Sequence, residues 1–320
     1  MGWLPDRGTL RRRWGRSSDL LVLLAVWAGL IVLFGQLSSG FLSPATLGSV
    51  ANRIPSLLLT ATGMTLLMVT GGIDLSVGSV LGLCGAVVGT LMVDHGWGLA
   101  GAIVASVALG SMVGAVNGIV SVKLDLPSFI VTLGMLEIAR GLAFLVTHSQ
   151  TKYIGAAVEG FGTAIDGWIV SPAFVMALLL VAGGQALLSY TVLGRYLIAA
   201  GANREAAAMS GVPVDGTRLC AHVMLGGLTG LAAVVNCSRL GSADPNAGVG
   251  FELSVIAAVV VGGTSLMGGR GSVVKSFLGV LIVATLEAGL VQMGATEPVK
   301  RVVTGVVIVL AVFADTWRRR

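Results

Sequence analysis

A chain of 320 residues that is 55% hydrophobic and 11% charged, with a mean hydropathy of +0.93, is not a soluble domain; soluble domains carry about 25% charged residues. The net charge of +5 does not argue for nucleic acid, because the basic residues gather at both ends and in a few loops, where membrane topology accounts for them. The three cysteines (Cys84, Cys220, Cys237) show no C-x-x-C spacing and have no histidine cluster beside them. They argue for packing rather than for metal or disulfide chemistry.

Arg7, Arg11, Arg12, Arg13 and Arg16 precede an apolar run at 20–34. A signal peptide starts this way, but the run continues to Gln36 without a small-x-small cleavage site and many spans follow. It reads as an uncleaved first helix behind a basic N-terminal stretch at 1–19. Further apolar runs lie at 54–70, 75–93, 98–122, 128–147, 170–190, 218–236, 253–267, 272–293 and 299–316. Runs near 20 residues cross a hydrocarbon core of about 30 Å, and shorter ones suggest broken or re-entrant elements. The pattern predicts an all-α, polytopic membrane protein of about ten segments, forming one domain over 1–320.

An even number of segments places both termini on one side. With the termini inside, fourteen Lys and Arg residues face inward: Arg7, Arg11, Arg12, Arg13, Arg16, Lys123, Arg195, Arg204, Arg218, Arg270, Lys275, Arg318, Arg319 and Arg320. Five face outward: Arg53, Lys152, Arg239, Lys300 and Arg301. That asymmetry predicts cytoplasmic termini in a bacterial inner membrane. Two loops are long, an outer one at 148–169 and a cytoplasmic one at 191–217. The histidines (His95, His148, His222) read as loop or helix-end residues.

Residues 69–80 interrupt the apolar pattern with Thr70-Gly71-Gly72-Ile73-Asp74-Leu75-Ser76-Val77-Gly78-Ser79. Helix breaks at membrane depth survive only where protein or an aqueous cavity surrounds them, and an acid there defaults to a functional role. A weaker echo follows in Gly262-Gly263-Thr264-Ser265-Leu266 and Gly271-Ser272-Val273. Both read Gly-Gly, two residues, Leu, a spacer, then Gly-Ser-Val. Interrupted segments at matching places in two halves point to a transporter's binding site, here a first repeat at 50–150 and a second at 240–320. Tight turns between helical hairpins, with Asp74 merely solvated, are the plainer alternative.

The cytoplasmic loop contains Asn203-Arg204-Glu205-Ala206-Ala207-Ala208-Met209-Ser210-Gly211-Val212-Pro213. Asn203 suits an N-cap, Glu205 complements the helix dipole, Gly211 suits the C′ position and Pro213 stops continuation. These features predict a two-turn helix outside the membrane with a small-residue face.

Glu205-Ala206-Ala207-x-x-x-Gly211 resembles the EAA motif of ATP-binding-cassette (ABC) importer permeases, whose coupling helix enters a cleft of the ATPase subunit. The 63–79 stretch resembles the signature of ribose/xylose/arabinose-type sugar permeases within that group. So do Ala115-Val116-Asn117-Gly118, 127–134, Ile138-Ala139-Arg140-Gly141 and Ser238-Arg239-Leu240-Gly241-Ser242-Ala243, in order over about 50–295. The resemblance implies a second permease copy or paralogue, a cytoplasmic ATPase and an extracytoplasmic substrate-binding protein. It implies coupling to the ATPase through Asn203, Arg204, Glu205, Ala206, Ala207 and Gly211. The expected sugar pathway runs past Thr70, Gly71, Gly72, Asp74, Ser76, Asn117, Gly262, Gly263, Thr264 and Ser265, whose hydroxyls and amide suit a neutral polyol. Two features depart from the pattern: Glu287 inside a span, and Glu137 three residues before Arg140, a spacing that allows a self-neutralising pair.

No Gly-x-x-x-x-Gly-Lys-Ser/Thr loop occurs, so ATP and magnesium are expected on the partner and no cofactor on this chain. The alternative is an ion-coupled secondary transporter using Asp74, Glu137 or Glu287. An intramembrane enzyme has no paired catalytic motif behind it.

Overall fold

The computed structural model describes residues 7–164 and 168–317. Residues 1–6 of the expected basic N-terminal stretch, Asp166 of the expected outer loop, and Arg318, Arg319 and Arg320 lie outside the described residues. In chain order the elements are α1 (Arg7–Leu37), α2 (Pro44–Arg53), α3 (Pro55–Val69), α4 (Val77–Val93), α5 (Leu99–Lys123), α6 (Ser128–Thr147), β1 (Lys152–Tyr153) and α7 (Ala156–Gly162). They continue as α8 (Pro172–Tyr190), α9 (Val192–Ala202), α10 (Arg204–Met209), α11 (Val214–Leu240), β2 (Ser242–Ala243), α12 (Phe251–Val261), α13 (Val273–Gln292) and α14 (Glu297–Trp317). Among the described residues the fold is all-helical apart from one antiparallel two-residue pairing, β1 with β2.

Each expected apolar run holds one helix. By length and apolarity, six among the described residues are able to cross a membrane: the 19–37 part of α1, and α5, α6, α8, α11 and α13. The apolar helices α3, α4 and α12 are shorter, at 15, 17 and 11 residues.

The centre of the bundle is α3, buried at every position from Pro55 to Val69. A helix apolar on all sides belongs in such a place. Beside it, α5 and α11 run in backbone contact. A Cβ added at Gly110, Gly114 or Gly230 would strike a carbonyl of the facing helix at Gly226, His222 or Ser106. The four-residue spacing of Gly110, Gly114 and Gly118 lines up one face of α5, and small residues there let two helices touch. Ser106 Oγ donates to the Gly230 carbonyl across this seam at 2.7 Å.

Two departures from the expected layout matter. First, α11 and α12 are joined by a turn-rich stretch, 241–250, that settles along α4. A Cβ at Gly89 would fall 2.6 Å from Ala243 Cβ, one at Gly82 would fall 2.8 Å from the Ala247 carbonyl, and one at Gly78 would strike the Gly248 carbonyl. Arg140 Nη1 holds this stretch through the carbonyls of Pro245 (2.7 Å) and Ala247 (2.8 Å). The expected Glu137–Arg140 pair is therefore not an ion pair; the guanidinium is turned toward the buried main chain. Second, the two Gly-Gly turns match in a different register from the one their sequence suggests. Gly71 (φ +82°) and Gly263 (φ +80°) occupy equivalent left-handed positions after α3 and α12. Each donates three residues back, to Met68 and Val260, and the following N–H donates to Leu67 and Val259. Gly78-Ser79-Val80 lies inside α4, while Gly271-Ser272 precedes α13, so these Gly-Ser-Val triplets do not correspond.

Candidate functional site

The expected coupling helix is α10. Asn203 Oδ1 accepts the Ala206 N–H at 2.9 Å as N-cap, and Glu205 lies exposed in the first turn. Gly211 has φ +80°, and the Gly211 and Val212 N–H groups return to Ala208 and Ala207. This is the paired bonding of a Schellman cap, which left-handed glycine permits. Ala207 turns inward onto Ala200 of α9 and Val214 of α11, while Met209 is 90% exposed. Arg204 bridges Asp125, in the α5–α6 loop, and Asp215, at 2.7 and 3.2 Å. Its hydrogen bond holds the Asp125 carboxyl below the ordinary carboxylate value.

The expected pathway residues fall into two groups near this same end of the bundle. Asp74 is buried (3% exposed), with Oδ1 accepting from Ser76 N–H (2.8 Å) and Ser76 Oγ (2.6 Å). Asn117 Nδ2 reaches Asp74 Oδ2 and Ser76 Oγ, both at 3.1 Å. Ser128 and Thr132, in the first turns of α6, hold the Ile73 and Leu75 N–H groups. Buried and hydrogen-bonded within the protein, Asp74 is not the solvated turn residue of the plainer reading. The second group is the turn after α12. Gly262 is wedged against α13, where a Cβ would lie 2.6 Å from the Lys275 carbonyl. Thr264 Oγ1 sits 3.4 Å from Ser276 Oγ, which Thr65 also reaches at 2.8 Å. Ser265 closes the turn by bonding Arg270 and Met267. Thr70, Gly72, Thr264 and Ser265 are buried, and Gly71 and Gly263 are exposed.

None of these residues lines a cavity that lies at the other end of α11. That cavity, about 480 Å³, is lined by α2, the start of α3, α11, α12 and α13. Its volume falls within the range of about 300–1,000 Å³ usual for small-molecule sites. Its polar wall includes Arg53, Asn236, Arg239, Ser254 and Glu287. Arg239 Nη2 donates to Asn236 Oδ1 at 3.3 Å, within one helix turn. The N-terminus of α12, reached through the 241–250 turns, opens into it at Phe251 and Ser254. Of the three acids considered for ion coupling, Asp74 sits in the turn network, Glu137 is exposed on α6 and Glu287 lines the cavity; they do not share one environment.

Sequence reasoning missed this cavity wall. The available signal was the polar pair Asn236 and Arg239 at the end of an otherwise apolar run, together with the turn-forming Asp244-Pro245-Asn246 that follows. It also missed His222, which is 1% exposed and faces Asp74.

Comparison with known proteins adds a second line. Residues 46–312 match the family described as branched-chain amino acid transport system / permease component. The ribose import permease protein RbsC of Escherichia coli (strain K12) is 36% identical over 317 residues, 98% of this chain and 97% of the relative. The fructose import permease protein FrcC of Rhizobium meliloti is 32% identical over 95% of this chain and 87% of its own length. The autoinducer 2 import system permease protein LsrC of Enterobacter sp. (strain 638) is 36% identical over 84% of this chain and 79% of its own length. No solved structure matches the chain.

Proposed function

The chain belongs to the permease-component family of branched-chain amino acid transport systems, and from that premise we propose that it forms the membrane path through which an ABC importer carries a sugar or sugar-like small molecule into the cytoplasm. The observation that carries the substrate class is near-full-length similarity to import permeases named for ribose, fructose and autoinducer 2. The geometry supports the same reading. A cavity wide enough for a monosaccharide lies at one end of α11, and α11 is 27 residues long, about 40 Å. The exposed α10 lies at the other end.

In this reading the path begins in the cavity and continues toward the turns at Thr70–Ser76 and Gly262–Ser265. Ten segments cross a bacterial inner membrane (α1, α3, α4, α5, α6, α8, α11, α12, α13, α14), with both termini cytoplasmic and α3–α4 and α12–α13 as the matching parts of two repeats. An extracytoplasmic binding protein delivers substrate to the cavity end, and a second copy or paralogue of the permease completes the membrane assembly. A cytoplasmic ATPase, holding ATP and magnesium, engages Asn203, Arg204, Glu205, Ala206, Ala207 and Gly211.

Uptake of a panel of pentoses, hexoses and furanose-like signals, measured with the cognate binding protein and ATPase, tests the substrate class. Uptake of a branched-chain amino acid with no response to any sugar would overturn it.

A further inference from the structure

The coupling helix and the two glycine turns, separate features in the sequence, meet at one residue. Gly201 is the penultimate residue of α9, two positions before the Asn203 cap of α10. The Val69 carbonyl, the last of α3, accepts the Gly269 N–H at 2.8 Å, which joins the turn after α3 to the turn after α12. Gly201 rests on that bond. A Cβ at 201 would strike the Val69 carbonyl oxygen and come within 2.7 Å of the Gly269 nitrogen. The contact is reciprocal: a Cβ at Gly268 would lie 2.8 Å from the Gly71 nitrogen and 2.9 Å from the Gly201 carbonyl. One at Gly269 would lie 2.9 Å from Ala202 Cα. Three main chains therefore touch with no side chain between them.

On its other face α9 is joined to α10 through Ala200, Ala207 and Val214, a cluster of small, buried side chains. A side-chain contact can absorb a displacement by changing rotamer; a contact between backbones cannot, and close-packed interiors transmit strain. We propose that Gly201 is a positioning residue through which movement of α10 reaches both turns at once, with α9 and the two turns moving as one body. This rests on the reading of α10 as the contact with the ATPase.

The test uses the complete transporter (full chain, ATPase and binding protein) in proteoliposomes. Gly201→Ala should still copurify with the ATPase and keep basal hydrolysis. Its stimulation by loaded binding protein should disappear and uptake should fall by about tenfold, within the usual range for coupling between distant sites. Gly183→Ala and Gly216→Ala, where an added Cβ meets nothing within 4 Å, should behave like the unaltered protein. Full stimulation and uptake by Gly201→Ala would overturn the proposal. If that variant does not insert, hydrogen exchange of the unaltered complex decides: on addition of ATP and loaded binding protein, the amides of α9 and of both turns should change protection together. A change at α9 with none at the two turns would overturn the single-body proposal. Absence of ATP-driven uptake by the unaltered complex would instead remove the transport reading beneath it.

Discussion

Asp74 Oδ2 lies 3.8 Å from His222 Nδ1, with both side chains buried, and neither that nitrogen nor Asn117 Oδ1 has a hydrogen-bond partner among the described residues. The distance is too long for a direct bond. The carboxylate is instead held by Ser76 and Asn117, so those contacts, rather than the imidazole, fix the 70–76 turn.

Asp74→Asn should therefore lower stability by about 1–3 kcal/mol, because an amide brings its own N–H groups against the Ser76 or Asn117 donors and leaves them unsatisfied. His222→Leu should cost less, since it removes a nitrogen that has no partner. Thermal unfolding in detergent checks both. Equal losses for the two variants would show that imidazole and carboxylate are coupled. Uptake by Asp74→Asn should show no new pH dependence.

Gly71 and Gly263 both hold the left-handed backbone after a helix, a conformation that disfavours side chains by about 1–2 kcal/mol. Valine at either position should obstruct transport while leaving assembly with the ATPase intact. Gly72→Val should be milder, because the added Cβ meets chiefly the flexible end of Leu67. Copurification paired with uptake measures this. Gly72→Val proving worse than Gly71→Val would contradict the assignment of the turn.

Glu205→Lys reverses a charge that favours the N-terminus of α10, an effect of about 0.3–1 kcal/mol. Gly211→Ala strains its left-handed cap. Each variant should insert normally yet hydrolyse ATP without matching transport. Unchanged ATP-driven uptake by both would remove α10 from the coupling route.

Cysteine labelling checks the orientation. Tyr153 and Met209 are 80% and 90% exposed at opposite ends of the bundle. Tyr153→Cys should react with an impermeant reagent from outside and Met209→Cys only from the cytoplasm. The reverse pattern would invert the topology.

Much of this architecture is legible in local sequence, because helices in lipid must satisfy their own backbone and so appear as apolar runs. The α10 caps are equally local: Asn203 and Gly211 act within a few residues of themselves. The cavity is different. Arg53, Asn236, Ser254 and Glu287 come from four helices, and nothing in their spacing brings them together. The course of the 241–250 stretch escaped notice because its support comes from elsewhere, from Gly78, Gly82 and Gly89 on α4 and from Arg140 on α6. His222 looked like a helix-end residue, since only the α5–α11 glycine seam brings it to Asp74. Even the repeat was shifted, because matching letters, Gly-Gly, competed with matching conformation, in which Thr70 is the counterpart of Gly262.

The central claim is that this chain moves a solute by drawing on a partner's ATP hydrolysis. The direct measurement is uptake of labelled sugar into proteoliposomes containing the chain and its ATPase, with loaded binding protein outside and ATP or a non-hydrolysable analogue inside. Uptake should require hydrolysable ATP and persist when proton and sodium gradients are collapsed. Uptake that continues without ATP and stops when an ion gradient is removed would contradict the account.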